Sequence, residues 1–211
     1  MNTPRVAVLV PTIRPPEESR GSLLQLVKQD YPLLHLFLGE DGTLSTEKKM
    51  LLADLINSRE GRKAGTFNLF QFDSGPHRDT GSFVRNEMMF QVSMFKPQID
   101  YVAFADDDDG YAPSWISEMV AKAVEEDFDL VVSRMLLNGE AVPRNLDTIP
   151  TRCDFGTPNG LFRWPLIQKH QIMFGGGDTP DYHFARKFCD LNQPKIGIVD
   201  KVLVKVRELW T

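Results

Sequence analysis

Short apolar runs separated by amphipathic stretches are the feature that most limits what this chain can fold into. Residues 5–10, "RVAVLV", are β-branched and apolar and stop at Pro11, as a strand covered on both faces would. "LLHLFLG" (33–39) closes on "EDG", "TFNLFQF" (66–72) alternates, and "DYVAFA" (100–105) and "FDLVVSRML" (128–136) read as further strands. Helical patterns lie between them. "RGSLLQLVKQD" (20–30) follows the proline- and glutamate-rich "PTIRPPEES", and "STEKKMLLADLINS" (45–58) is opened by Ser45 or Thr46 with Glu47 in its first turn. In "SFVRNEMMFQVSMF" (82–95), Val84, Met88, Val92 and Phe95 fall on one buried stripe. Another helix starts at Pro113 and carries Trp115, Met119, Val120 and Ala123 on its core face. Strands alternating with helices at this rhythm predict an α/β domain with a mostly parallel central sheet flanked by helices.

The second half is less regular. Residues 138–160 lack periodicity and are rich in Gly, Pro, Asn and Asp, so a long functional loop is expected there. "LFRWPLIQKHQ" follows, then three glycines at 175–177 and a helix from Pro180 that Thr179 is placed to cap. "KIGIVD" and "VLVKV" read as two closing strands.

Length bounds the organisation: 211 residues suit one domain with a sizeable core. With 42% hydrophobic and 25% charged residues the chain has the composition of a globular protein. A net charge of -5 argues against a broad basic surface for nucleic acid. The apolar runs are far shorter than the roughly 20 residues that span a bilayer. No charged start leading into an apolar stretch marks a secretory signal, and the two cysteines, Cys153 and Cys189, suit a reducing compartment. A cytoplasmic location is the expectation, with both thiols packed or idle.

The chemistry collects where strands end. In open α/β sheets ligands bind beyond the carboxyl ends of the strands. Pro11-Thr12 follows the first strand, Glu40-Asp41 the second, and "DDDD", Asp106 to Asp109, the fourth. Adjacent carboxylates repel and raise one another's pKa unless positive charge sits among them. A solvated acidic loop is one reading of that run and a bound cation the other. Oxygen ligands of this kind suit Mg²⁺ or Mn²⁺ bridging to a substrate phosphate.

Several stretches spread over nearly the whole chain resemble the family-2 glycosyltransferases, enzymes with the Rossmann-like A-type glycosyltransferase fold. "VAVLVPTIRP" resembles the family's opening strand and turn, and "LLHLFLGEDGTLS" its strand ending in acids. "GSFVRNEMMFQV" resembles its Ala-Arg-Asn helix, and "YVAFADDDDGYAPSWI" its Asp-x-Asp region. "NGLFRWPLIQKH" is similar to the acceptor-side segment, and "GGGDTPDYHFARKF" stands where the family carries its catalytic acids.

The resemblance implies a single domain over 1–211, with a nucleotide-sugar-binding half (1–110) and an acceptor-side half (111–211). It implies Pro11, Thr12 and Asp41 around the nucleotide base, with Asp41 accepting a hydrogen bond. Asp106 and Asp107 would lie near ribose or sugar, and Asp108 with Asp106 at a Mn²⁺ or Mg²⁺ ion; Arg85 reads equally as a phosphate contact or as a residue that only decorates its helix. Asp181 or Asp178 would be the general base of an inverting transfer. Asp181 is favoured, because the "YHFARK" after it best fits the family's aromatic-then-basic helix. The one Arg-Trp pair, Arg163-Trp164, precedes both acids, unlike the motif of processive synthases, so transfer of one sugar is expected. The donor would be a nucleoside-diphosphate sugar, a UDP-sugar by the family's commonest usage. The acceptor hydroxyl would belong to a glycan, a lipid-linked sugar, a protein or a modified nucleic acid.

Other readings stand beside these. A sugar nucleotidyltransferase shares the fold but opens on a glycine-rich basic loop, which "PTIRPPEES" is not; a divalent-cation- or nucleotide-binding module without catalysis is the alternative from another class. Trp164 suits a sugar platform or core packing equally. His35 and His183 read as packing or surface residues, and Arg207 as a solvated charge.

Overall fold

In the first strand, β1 (Val6–Thr12), Val6, Val8 and Val10 enter one apolar cluster and Ala7 and Leu9 another, all fully buried. That period-2 division is the reason the run has no polar side: both faces of the sheet are covered. The computed structural model describes residues 3–41, 45–58, 66–72, 81–146 and 155–210. After β1 come α1 (Pro16–Val27), β2 (Leu34–Asp41), α2 (Thr46–Asn57), β3 (Thr66–Phe72), α3 (Ser82–Met94) and β4 (Tyr101–Phe104). β5 (Gly110–Tyr111), α4 (Trp115–Glu125), β6 (Leu130–Leu137) and β7 (Glu140–Val142) follow. A 3-10 turn (Thr157–Asn159) leads to β8 (Gly160–Arg163), α5 (Trp164–His170), α6 (Pro180–Asn192) and β9 (Ile196–Lys205).

The strand order is β3-β2-β1-β4-β8-β6-β9-β5, with β7 paired to β6. The first four strands are parallel, and β6 and β9 are parallel to each other; β8, β7 and β5 add antiparallel pairs. The expected α/β sheet with helices on both faces is therefore present. On one face Leu23 and Leu26 of α1, Leu51 and Leu55 of α2 and Trp115 and Met119 of α4 pack on the even valines. On the other, Val84, Met88 and Val92 of α3, Ile167 of α5 and Phe184 and Phe188 of α6 pack on Ala7 and Leu9. Residues 105–109, which join β4 to β5, reach at most about 20 Å when extended. Since β5 lies at the far edge of the strand order, the sheet must curl to bring that edge back over β4, and the curl makes a cleft.

Three expectations change. The two closing strands are one: in β9 the partner of β6 jumps from Val199 to Val202, so the exposed Asp200 and Lys201 bulge out while pairing continues. The loop expected at 138–160 opens as a hairpin, because Asn138 and Gly139 take positive φ values of 52° and 81° and turn β6 into β7. Residues 147–154, with Cys153, lie outside the described residues. Thr179 precedes α6 but makes no side-chain cap; its carbonyl accepts the His183 N–H instead, at 3.2 Å. Trp164, 3% exposed, is a core residue rather than a sugar platform, and His35 is buried in β2. Burial pushes the Cys189 thiol up to about 11, which suits an idle cysteine.

Candidate active site

The four aspartates form a turn held by β1 and by the Tyr111 side chain. The Ala105 N–H continues the β1 ladder by bonding the Leu9 carbonyl at 2.9 Å. The Asp106 N–H then donates to the Tyr111 hydroxyl at 2.7 Å, and that hydroxyl donates back to the Asp106 carbonyl at 3.0 Å. Gly110 is required by close approach: a Cβ there would lie 2.1 Å from the Glu208 carbonyl oxygen. The turn sorts its acids. Asp106 and Asp108 stay half-exposed, while Asp107 and Asp109 are 5% and 3% exposed.

Cations answer most of the repulsion. Arg85, almost wholly buried on α3, pairs with Asp106 and lies 5.4 Å from the centre of the Phe174 ring. Its helix begins at Gly81, whose φ of 78° a side chain would strain. Arg14, between β1 and α1, places Nη2 2.6 Å from Asp108 Oδ2 and Nε 3.4 Å from Asp107 Oδ1. Lys48 of α2 is 2% exposed, and its Nζ donates to Thr12 Oγ1 and the Arg14 carbonyl at 2.6 Å each and to Ser19 Oγ at 3.0 Å. The Thr12 hydroxyl passes the chain on, donating to Asp107 Oδ2 at 2.5 Å. Burial pulls the Lys48 ammonium down against the fields of Asp107 and Glu40, and burial pushes the Asp107 carboxyl up against Thr12 and Lys48. Asp109 accepts the Arg207 backbone N–H at 3.0 Å; burial, with Asp106 adding to it, pushes its carboxyl up to about 8.

The opposite wall belongs to the second half of the chain. Asp181, in the first turn of α6, is half-buried and accepts the Thr157 N–H at 3.2 Å. Burial pushes its carboxyl upward; the Arg85 guanidinium opposes that and Asp106 adds to it. Asp178 is exposed beside Gly175–Gly177. Both walls line a cleft of about 570 Å³, within the range of small-molecule sites.

Of the residues singled out in the sequence, Pro11, Thr12, Arg85, Asp106, Asp107, Asp108, Asp178 and Asp181 all line this cleft. Asp41 ends β2, and its side chain lies outside the described residues. Sequence reasoning missed Arg14, Lys48 and Asp109. Lys48 did leave a signal: it shares a helix face with Leu51, Leu52 and Leu55, and a lysine on an apolar stripe needs a buried partner. In the sequence Asp109 is only one member of an acidic run.

Residues 94–188 match the sequence model of glycosyl transferase family 2. That span is less than half of the chain. No curated protein matches by sequence. Among solved structures, residues 1–349 of TarS from S. aureus superpose with a TM-score of 0.75 at 20% identity, over 96% of this chain and 60% of that one. The same protein in complex with UDP-GlcNAc gives 0.73 at 20% identity, over 98% and 59%. A mannosyltransferase from Pyrobaculum calidifontis, in complex with GDP-Man and Mn2+, gives 0.67 at 14% identity, over 97% and 57%. The fold is thus the A-type glycosyltransferase fold, and the chain spans about 60% of the TarS fragment's length. No helix among the described residues is long and apolar enough to cross a membrane.

Proposed function

We propose that this chain is the catalytic unit of an inverting glycosyltransferase that moves one sugar from a nucleoside-diphosphate donor to an acceptor hydroxyl. The observation that carries the reading is the convergence of Asp106, Asp108 and Asp181 on one cleft, with Arg85 paired to the first and acting on the third. On the donor side Pro11 and Thr12 flank the nucleotide, Asp41 accepts from the base, and Arg85 and Arg14 supply positive charge for the diphosphate. A UDP-sugar is the donor proposed, a reading supported by TarS having been solved with UDP and UDP-GlcNAc.

Among the described residues no three acidic, histidine or cysteine side chains gather as a metal cage. The donor set still fits Mn²⁺ or Mg²⁺, which take one or two carboxylates and complete their shells with water and substrate phosphate. Asp108 would hold the ion, with Asp106 beside it, and the ion would neutralise charge growing on the departing diphosphate. Asp181 takes the proton from the acceptor hydroxyl. The hydroxyl oxygen attacks the anomeric carbon from the face opposite the diphosphate, and the carbon–oxygen bond to diphosphate breaks with its electron pair leaving on phosphate. One sugar stereocentre is inverted. An upward-shifted carboxyl at Asp181 serves this role, since a general base works best with a pKa nearer the operating pH.

The test is a panel of nucleotide-sugars screened for metal-dependent thermal stabilisation, followed by product analysis. One donor should raise the melting temperature only with Mn²⁺ or Mg²⁺, by mass action on the folded state. Asp108→Asn should keep the fold and lose the metal-dependent part. A panel in which no nucleotide stabilises the protein refutes the reading.

A further inference from the structure

The β1–α1 connection joins a fixed backbone to a movable charge. The buried Lys48 ammonium bonds the Arg14 carbonyl at 2.6 Å and pins the loop through Thr12 and Ser19. The Arg14 side chain is 36% exposed against 2% for Lys48, and it divides its guanidinium among three carboxylates. It meets Asp108 Oδ2 at 2.6 Å, Asp107 at 3.4 Å, and Glu18, one turn into α1, at 3.2 Å. Arg207 Nε stands 3.8 Å from the same Asp108 oxygen. The carboxylate proposed to hold the metal therefore already carries a cation. A divalent ion and a guanidinium repel each other and compete for that oxygen. Glu18 gives the guanidinium somewhere to go, and the pinned backbone need not move. A guanidinium freed in this way is a planar fork suited to two phosphate oxygens.

We infer that Arg14 holds the cation's place on Asp108 in the nucleotide-free protein and gives it up when a divalent ion arrives with a nucleoside diphosphate, which the guanidinium then binds. The inference rests on the proposed reading of Asp108 as the metal-holding residue. Its consequence is coupling: the ion alone binds weakly, the ion and the diphosphate help each other, and the coupling is reciprocal.

Titrating Mn²⁺ by electron paramagnetic resonance, into the protein alone and with UDP present, tests this without any transfer. Arg14→Gln removes the competing charge at a side chain that reaches solvent, and its circular dichroism and melting temperature should match wild type. Releasing a partly exposed ion pair should tighten Mn²⁺ binding to the nucleotide-free variant about fivefold. The same variant should bind UDP more weakly in the presence of Mn²⁺, so the mutual enhancement shrinks, and Arg14→Lys should restore part of it. Equal or weaker Mn²⁺ binding by Arg14→Gln overturns the inference and leaves the proposed function standing. Wild-type protein that takes up no Mn²⁺ even with UDP overturns both.

Discussion

The two walls of the cleft are built on opposite plans. The wall proposed to bind the donor packs Asp106, Asp107 and Asp108 against Arg14, Lys48, Arg85 and Arg207, so that these three acids are compensated before any ligand arrives. The opposite wall, proposed to face the acceptor, is apolar where Phe155 and Pro158 line it; its two acids are the half-buried Asp181 and the exposed Asp178. Compensation makes a stiff binding surface, because each ion pair fixes two elements relative to each other. Burial that Arg85 and the Thr157 N–H only partly offset leaves a carboxyl whose basicity exceeds that of a solvated one. On the proposed reading, binding belongs to the first wall and proton transfer to the second.

The largest effect expected from that contrast is on Asp181. Asp181→Asn should lower the rate of transfer by about 10² to 10⁴ and leave UDP affinity unchanged. Loss of nucleotide binding in that variant would dissolve the distinction between the walls. On the donor side, Lys48→Met should cost about 3 kcal/mol of stability, since it strips a buried carboxylate of its ionic partner and three oxygens of their donor. Asp107→Asn added to it should recover part of the loss in chemical denaturation, and a simply additive pair would show that the two groups are not coupled.

A smaller effect concerns Asp109, a buried acid on the donor wall whose carboxyl meets a backbone N–H. Its folded value of about 8 lies above an unfolded value of about 3.9. The folded state then binds the extra proton, so the stability this group contributes is complete below about pH 4 and is lost as pH rises through about 8. Wild type should lose at least about 1 kcal/mol between pH 5 and pH 8 from this source. Asp109→Asn should flatten that slope; an unchanged slope in urea titrations would remove Asp109 as its cause. The smallest effect belongs to Asp178, exposed at the rim, where Asp178→Asn should raise the acceptor KM a few-fold, on the order of 1 kcal/mol, with kcat little altered.

Local pattern accounts for how much of this was legible. β1, β2 and β4 announce themselves because their side chains are covered on both faces and no polar position interrupts them. The helix of Val84, Met88 and Val92 is legible for the same reason, since a 3.6-residue stripe has one meaning. The Asn138-Gly139 turn was also available: an Asn-Gly between apolar runs is a hairpin signal, hidden here by the irregular residues after it. β9 reads locally as two strands because Asp200-Lys201 looks like a break, and nothing local says that a bulge will absorb it.

By itself the sequence determined the alternation of strands and helices, the edge of the sheet where the acids would collect, and a resemblance to one family's motifs. It did so because periodicity and strand-end chemistry are properties of neighbouring residues. The tertiary structure alone decided which acids in the quartet are exposed, that Lys48 faces inward to Thr12 and Asp107, and that Arg14 rests on Asp108. Those outcomes depend on pairs separated by 36 and 95 residues, such as Lys48 with Thr12 and Thr12 with Asp107. The ionic partner of a buried charge is chosen by the curl of the sheet that brings the two together, and no local pattern encodes that choice.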